Sequence, residues 1–256
     1  MNEPGDLFSL SGRVALVTGG GRGIGRTIAS ALAGAGVHVA VCDVNAGEIE
    51  EEIGRWKPEG HLWLGDISRA EDVDRIVGEV TARLGAVEIL VNNAGINIIK
   101  PAEEFGFEDW NRVLAINLTG TFLCAQRVGR EMISRKIGGR IINISSVAAH
   151  IGPSMHGAVA YSAAKAGVLG MTRALAVEWA PHNILVNAVC PGMISTELTR
   201  SRLNDPAYRD KILQRVPLRE IGTPLDVAGA VMFLASPAAR LITGHALNVD
   251  GGWLAS

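Results

Sequence analysis

Tyrosine and cysteine are scarce in this chain, with two of one and three of the other among 256 residues. Cys42, Cys124 and Cys190 are odd in number and far apart. That excludes a disulfide framework or clustered metal ligands and reads as small buried residues of a reducing compartment. Charge is nearly balanced, at -2 formally, so neither nucleic acid nor an anionic membrane is an expected partner. No uncharged apolar run reaches the ~18 residues at which a membrane span becomes plausible. The opening "MNEPGDLFSLSGR" has no basic stretch leading into an apolar one, so a cytoplasmic location is expected rather than secretion. Repeats of solenoid period, low-complexity segments and obvious linkers are missing too.

What is present supports a full core: 48% of residues are hydrophobic and 20% charged, a balance that argues against disorder. Apolar runs at 13–19, 37–43, 61–66, 87–95, 139–146, 184–192 and 245–252 read as strands. Helical patterns fall between them at 23–34, 45–55, 69–84, 108–135, 159–180 and 224–235. Continuous apolar strands alternating with helices predict one α/β domain over 1–256, a doubly wound parallel sheet of about seven strands covered on both faces. Val73, Ile76, Val77 and Val80 share a helical face. The longest irregular piece, 191–224, follows a strand's carboxyl end and is expected to be a substrate lid.

"VALVTGGGRGIG" sets Gly19, Gly23 and Gly25 at a strand-to-helix junction, with Gly20, Gly21, Arg22 and Ile24 in the same turn. Glycine permits the tight turn and the close approach of a pyrophosphate to backbone, and the following helix N-terminus supplies N–H donors. The spacing is G-x-x-x-G-x-G, and a turn of this kind also serves packing alone. Asp43 closes the second strand roughly 20 residues on, where a carboxylate holds the adenosine ribose hydroxyls. It also repels a 2′-phosphate, so NAD is expected and NADP disfavoured. Arg22 is the competing feature; it either attracts that phosphate or sits on the surface.

"AYSAAKAG" places Tyr161 and Lys165 four positions apart, neighbours on one helix face. The surroundings are almost wholly small or apolar, and buried phenols and amines need partners. A phenol titrates near ~10, and an ammonium within ~4–6 Å lowers that by roughly 1–3 units. The expectation is that the lysine tunes the tyrosine for acid–base work.

Together "TGGGRGIG", "NNAG" at 92–95, Ser146 and "YSAAK" resemble the short-chain dehydrogenase/reductase family, in order and over nearly the whole chain. The resemblance implies a Rossmann-type sheet, a nicotinamide cofactor and a homotetramer. It casts Tyr161 as general acid/base, Lys165 as holder of the nicotinamide ribose, Ser146 as the carbonyl-orienting serine and Asn117 as support for a proton relay. Read by itself, Asn117 is equally a helix-interior residue bonding locally. Asp66 and Ile67 resemble the adenine contact, Asn93 and Gly95 the adenosine-ribose region, and Ile194 and Thr196 the carboxamide contacts. For the oligomer, the 108–135 and 159–180 helices would form one contact, and the 224–235 helix with the last strand another.

The implied reaction is hydride transfer between a nicotinamide and a secondary alcohol or ketone. The tail looks most like gluconate-type and polyol dehydrogenases, so a small polyhydroxy or hydroxy-acid substrate is expected. His150, Ser154, Met155, His156, Arg200 and Arg202 are its candidate polar contacts, or else a solvated loop and lid. The alternatives are a 3-oxoacyl-[acyl-carrier-protein] reductase using NADPH and a non-catalytic nucleotide-binding member of the fold.

Overall fold

Every residue of the run Val14–Thr18 is buried, as a central strand covered on both faces requires. In the computed structural model, which describes residues 7–152 and 157–256, such runs form a seven-stranded parallel sheet. The first half of the chain runs β1 (Val14–Thr18), α1 (Gly23–Gly34), β2 (His38–Asp43), α2 (Glu50–Ile53), β3 (His61–Leu64), α3 (Ala70–Leu84), β4 (Ile89–Asn92), α4 (Phe107–Leu114) and α5 (Thr121–Arg135). The second half runs β5 (Gly139–Ile144), α6 (Val159–Trp179), β6 (Ile184–Pro191), α7 (Glu197–Leu203), α8 (Pro206–Leu213), α9 (Pro224–Ala235) and β7 (Ala246–Val249). Strand order is β3-β2-β1-β4-β5-β6-β7. The chain reverses direction across the sheet between β1 and β4, and open α/β sheets place their ligand crevice outside that point.

Alternation along each strand splits the core in two. Val17 faces α1 and α9, packing with Ile28, Leu32, Val227 and Val231. Its neighbour Leu16 faces the other layer, with Ile76 and Val80 of α3, Val128 of α5 and Leu175 of α6. On α3 the buried residues are Val73, Ile76, Val77 and Val80, the face read from spacing. Among the described residues no helix is long and apolar enough to cross a membrane.

Several segments differ from the sequence reading, the last strand among them, which ends at Val249 rather than 252. The strand expected through 95 stops at Asn92, and "NNAG" turns into the crevice. The helix expected over 45–55 shrinks to a 3₁₀ turn at Gly47–Ile49 and the single turn α2. Gly47 takes φ +59 with its α-carbon side hard against the Gly21 carbonyl, so the chain is bent around the glycine turn before it can coil. The 108–135 helix is continuous but widens into a π-helical stretch at Ala115–Gly120, between α4 and α5. The 191–224 piece is not irregular, because it holds α7 and α8. Thr196 and Thr199 form a capping box for α7. Asp205 caps α8, with Pro206 in its first turn.

Candidate active site

The carboxyl ends of the strands open into a cleft of about 630 Å³. Its first wall is the glycine turn. Gly19 has φ +62, and a Cβ there would come within 2.6 Å of the Ala94 Cα. The Asn93 amide clamps the two loops together, donating to the carbonyls of Thr18 (3.1 Å) and Gly19 (2.8 Å). Thr18 Oγ1 accepts from the backbone N–H groups of Asn93 and Ala94. Helix α1 starts at Gly23 with no acidic residue in its first turn and no side-chain cap, so its N–H groups remain available to an anion. Gly19, Arg22, Gly23 and Ile24 line the cleft, whereas Gly21 and Gly25 lie behind it as supports.

Asp43 also lines the cleft. Its carboxylate is oriented by the Gly21 N–H at 2.9 Å and the Asn45 N–H at 3.3 Å. Asp66 is held by the Ser68 N–H and hydroxyl, at 2.9 and 2.7 Å. It shares the adjoining wall with Ile67, whose side chain is otherwise core. Asn93, Gly95, Ile194 and Thr196 reach the same cleft, so the residues named from the sequence as cofactor contacts converge apart from the two supporting glycines.

At the other end Ser146, Tyr161, Lys165 and Asn117 come together. Ser146 follows β5, and its Oγ accepts the Ala148 N–H at 3.1 Å. Ser145 turns its hydroxyl to the Lys165 carbonyl instead, at 2.9 Å. Lys165 is buried, donates to the Ile144 carbonyl at 2.7 Å and lies 5.7 Å from the centroid of the Tyr161 ring. That carbonyl uses one of three ammonium donors. The wide turn before α5 carries Asn117 fully buried. Its Nδ2 donates to the carbonyls of Val113 and Ile96, both at 2.9 Å, and its Oδ1 has no partner among the described residues. A Cβ on Gly95 would lie 2.5 Å from that oxygen, so glycine keeps the approach clear. The local bond to Val113 matches the plain helix-interior reading of Asn117; the orphaned acceptor and the bond to Ile96 go beyond it.

The expected tuning of tyrosine by lysine needs correction. Burial pushes the Tyr161 phenol up, and a hydrogen bond from Ser146 pulls back against it. Burial pushes Lys165 down to about 8. The amine lies over the ring and bonds a carbonyl, so desolvation outweighs its attraction for a phenolate. The phenol holds its proton at neutral pH while the amine exchanges one.

Lysine desolvation has a consequence for stability. With the folded value near 8 and the unfolded one near ~10.4, the unfolded chain binds more protons between them, so this group adds stability as pH rises through that window. The buried thiols act oppositely, Cys42 and Cys190 being pushed up to about 12 and about 11 by burial. A comparison with Lys165→Met cancels the thiols. From about pH 7 to about pH 9, wild type should gain roughly 1 kcal/mol on the variant in urea denaturation. A constant difference would contradict a desolvated lysine.

Of the described substrate candidates, His150 and Arg200 fall outside the cleft. His150 does not line the cleft, and its Nε2 lies 3.7 Å from Cys190 Sγ. His156 lies outside the described residues, as do Ser154 and Met155. Arg202 lines the cleft and Arg200 does not. The sequence reading missed Asn97, Arg112, Met193, Leu198 and Trp253, all of which reach the cleft. Among the described residues no cluster of His, Cys, Asp or Glu could hold a metal ion.

A family model described as enoyl-(acyl carrier protein) reductase matches residues 19–254. The chain belongs to the short-chain dehydrogenases/reductases. It is 40% identical over 249 residues to a D-threitol dehydrogenase of Mycolicibacterium smegmatis, covering 96% of this chain and 94% of that one. It is 42% identical over 251 residues to a 3-oxoacyl-[acyl-carrier-protein] reductase of Synechocystis, covering 96% and 98%. A crystal structure of a gluconate 5-dehydrogenase from Burkholderia cenocepacia, in complex with NADP and tartrate, superposes with TM-score 0.92 at 37% identity, covering 98% of each chain. As a family member the protein is a nicotinamide-dependent oxidoreductase acting on CH–OH groups.

Proposed function

We propose that this short-chain dehydrogenase/reductase interconverts a secondary alcohol and a ketone on a small polyhydroxy or hydroxy-acid substrate, with NAD(H) favoured. One observation carries the reading: the Ser146 and Tyr161 hydroxyls, the Lys165 amine and the unpartnered Asn117 Oδ1 share one cleft with the glycine turn. The cleft fits a dinucleotide. Asp43 would hold the adenosine ribose, the Gly19–Ile24 turn the pyrophosphate, and Asp66 and Ile67 the adenine. Asn93 and Gly95 would flank that ribose, Tyr161 and Lys165 would hold the nicotinamide ribose, and Ile194 and Thr196 would meet the carboxamide. When bound, the nicotinamide supplies the carbon that takes or gives the hydride.

Ser146 and Tyr161 orient the substrate oxygen, and Tyr161 carries the proton to or from it. Lys165, titrating near 8, and the Asn117 acceptor provide the route by which that proton reaches solvent. The α7–α8 segment, with Thr196 and Arg202 in the cleft, acts as the lid within one domain. The NAD preference favours alcohol oxidation, in which Tyr161 accepts the proton, while the protonated phenol serves the reverse reduction.

The relatives named for threitol and gluconate support the substrate class, and turnover of NAD with a threitol, glycerol and gluconate panel tests it. Activity confined to 3-oxoacyl thioesters with NADPH would move the assignment to the second reading, which the Synechocystis relative favours. Asp43 argues against that reading. Its carboxylate is already fixed at the end of β2 by Gly21, and a 2′-phosphate would meet a preorganised negative charge. Arg22 in the same wall supplies the opposing pull. Asp43→Ser should lower the NAD over NADP preference in kcat/KM by roughly 10-fold or more. An unchanged ratio would remove Asp43 as the determinant.

A homotetramer in the cytoplasm completes the proposal. Phe107, Phe122 and Val177 leave apolar surface exposed on α4, α5 and α6, as do Leu225 and Leu241 around α9 and β7. Sedimentation velocity reads the oligomer directly; a monomer would refute it.

A further inference from the structure

The turn that follows β7 is tightly constrained. After β7, Gly251 and Gly252 both adopt left-handed φ, +62 and +89. The Asp250 carboxylate accepts the N–H groups of Gly252 and Leu254, each at 2.9 Å, so its charge is spent within the turn. The turn is docked against the connection after α8. Leu218 N–H donates to the Gly251 carbonyl at 3.1 Å. A Cβ on Gly251 would lie 2.6 Å from Val216 Cγ1, and one on Gly252 would lie 3.2 Å from Pro217. The residue this turn presents is Trp253, and it lines the cleft. Trp56, Trp63, Trp110 and Trp179 pack against the hydrophobic clusters, and none of them lines the cleft. Trp253 belongs to none of those clusters and stays partly exposed. Packing therefore leaves the indole unexplained, while the capped, glycine-seated turn fixes where it points.

We propose, building on the dehydrogenase reading above, that Trp253 is a specificity-determining residue. Its indole face is the platform on which the C–H face of a short polyol or hydroxy-acid chain lies while Ser146 and Tyr161 hold the reacting oxygen. An indole face is rigid, apolar and electron-rich, suited to the polarised C–H bonds of a polyhydroxy chain, and its N–H offers one donor to a hydroxyl. The turn that carries it is docked on residues 216–218, which follow the lid helices, so substrate contact and lid position are linked.

Kinetics of Trp253→Ala and Trp253→Phe test this against the best substrate of the polyol panel. Trp253→Ala should raise KM by about 10-fold or more with kcat held within about threefold. Trp253→Phe should recover most of that, and NADH affinity should not move. For propan-2-ol, too short to lie across the platform, kcat/KM should change less than about threefold, whereas a merely structural defect would depress both substrates alike. Should Trp253→Ala fail to fold, tryptophan emission decides. The response to saturating polyol seen in wild type should be lost in Trp253→Phe. An unchanged KM in Trp253→Ala, or an emission response that persists in Trp253→Phe, overturns the inference while leaving the dehydrogenase reading intact. Absence of wild-type turnover across the whole panel overturns both.

Discussion

Tyr161→Phe should lose turnover by roughly 10²–10⁴-fold while binding NADH about as well as wild type. The substitution removes one oxygen from a ring that stays in its slot between Ala160, Ala164 and the α4 packing cluster. The lost atom is the one bonded with Ser146. Because burial holds the phenol protonated, it suits donation to a carbonyl oxygen, so ketone reduction should suffer at least as much as alcohol oxidation. Lys165 keeps its bond to the Ile144 carbonyl, so the amine proposed to hold the ribose stays in place and NADH affinity should be retained. Steady-state rates in both directions and a fluorescence titration with NADH read the two halves. Turnover within about tenfold of wild type would remove Tyr161 from the proton path.

Gly25→Ala should weaken NADH binding sharply and lower the melting temperature, although it adds only one methyl. An added Cβ would run into the Gly19 carbonyl oxygen and the Asn93 Nδ2. Those are the two ends of the clamp joining the glycine turn to the "NNAG" loop. Overpacking of this kind costs roughly 1–3 kcal/mol or more, and here no flexible side chain can yield. A loss of about 100-fold in NADH affinity is expected, since both walls that meet the dinucleotide shift together. Gly78→Ala is the control. That glycine lies within α3 with open space around the missing Cβ, so helix propensity alone should raise stability by about 0.5–1 kcal/mol. Calorimetry and NADH titration of both variants separate the two effects, and a Gly25→Ala protein that binds NADH normally would refute the clamp.

Much of this was readable because its causes are local. Buried parallel strands are continuous apolar runs, and all seven appear where such runs stand. α1 and α9 have the bounds that spacing predicts, α9 with a Thr223–Asp226 capping box and Pro224 marking its start. The same kind of signal was present in "STEL" and "NDPAY", where caps open α7 and α8. That signal is faint in the sequence because both helices are short, with only seven and eight residues. The wide turn around Asn117 has no local signature, since its residues look like ordinary helix and the register change answers packing between α4, α6 and the loop after β4. His150 shows the same limit. A histidine four positions after Ser146 can face either way on its loop, and this one meets Cys190 Sγ instead of lining the cleft. Trp253 stands in the tail of the sequence, yet which way that tail returns depends on the docking of Gly251 and Gly252 against residues 216–218. The electrostatics were legible in part, for the Tyr–Lys pairing follows from spacing, but the sign of the phenol shift depends on burial that no spacing reveals.

Isotope transfer tests most directly whether this cleft moves a hydride between a carbinol carbon and a bound dinucleotide. The wild-type protein would be given NAD and the best polyol of the panel, deuterated at the reacting carbon. Mass spectrometry and proton NMR of the reduced dinucleotide should find the label at nicotinamide C4, with none incorporated by Tyr161→Phe. Reduced dinucleotide that forms without the label, or label retained entirely in the alcohol while NAD is bound, would contradict it.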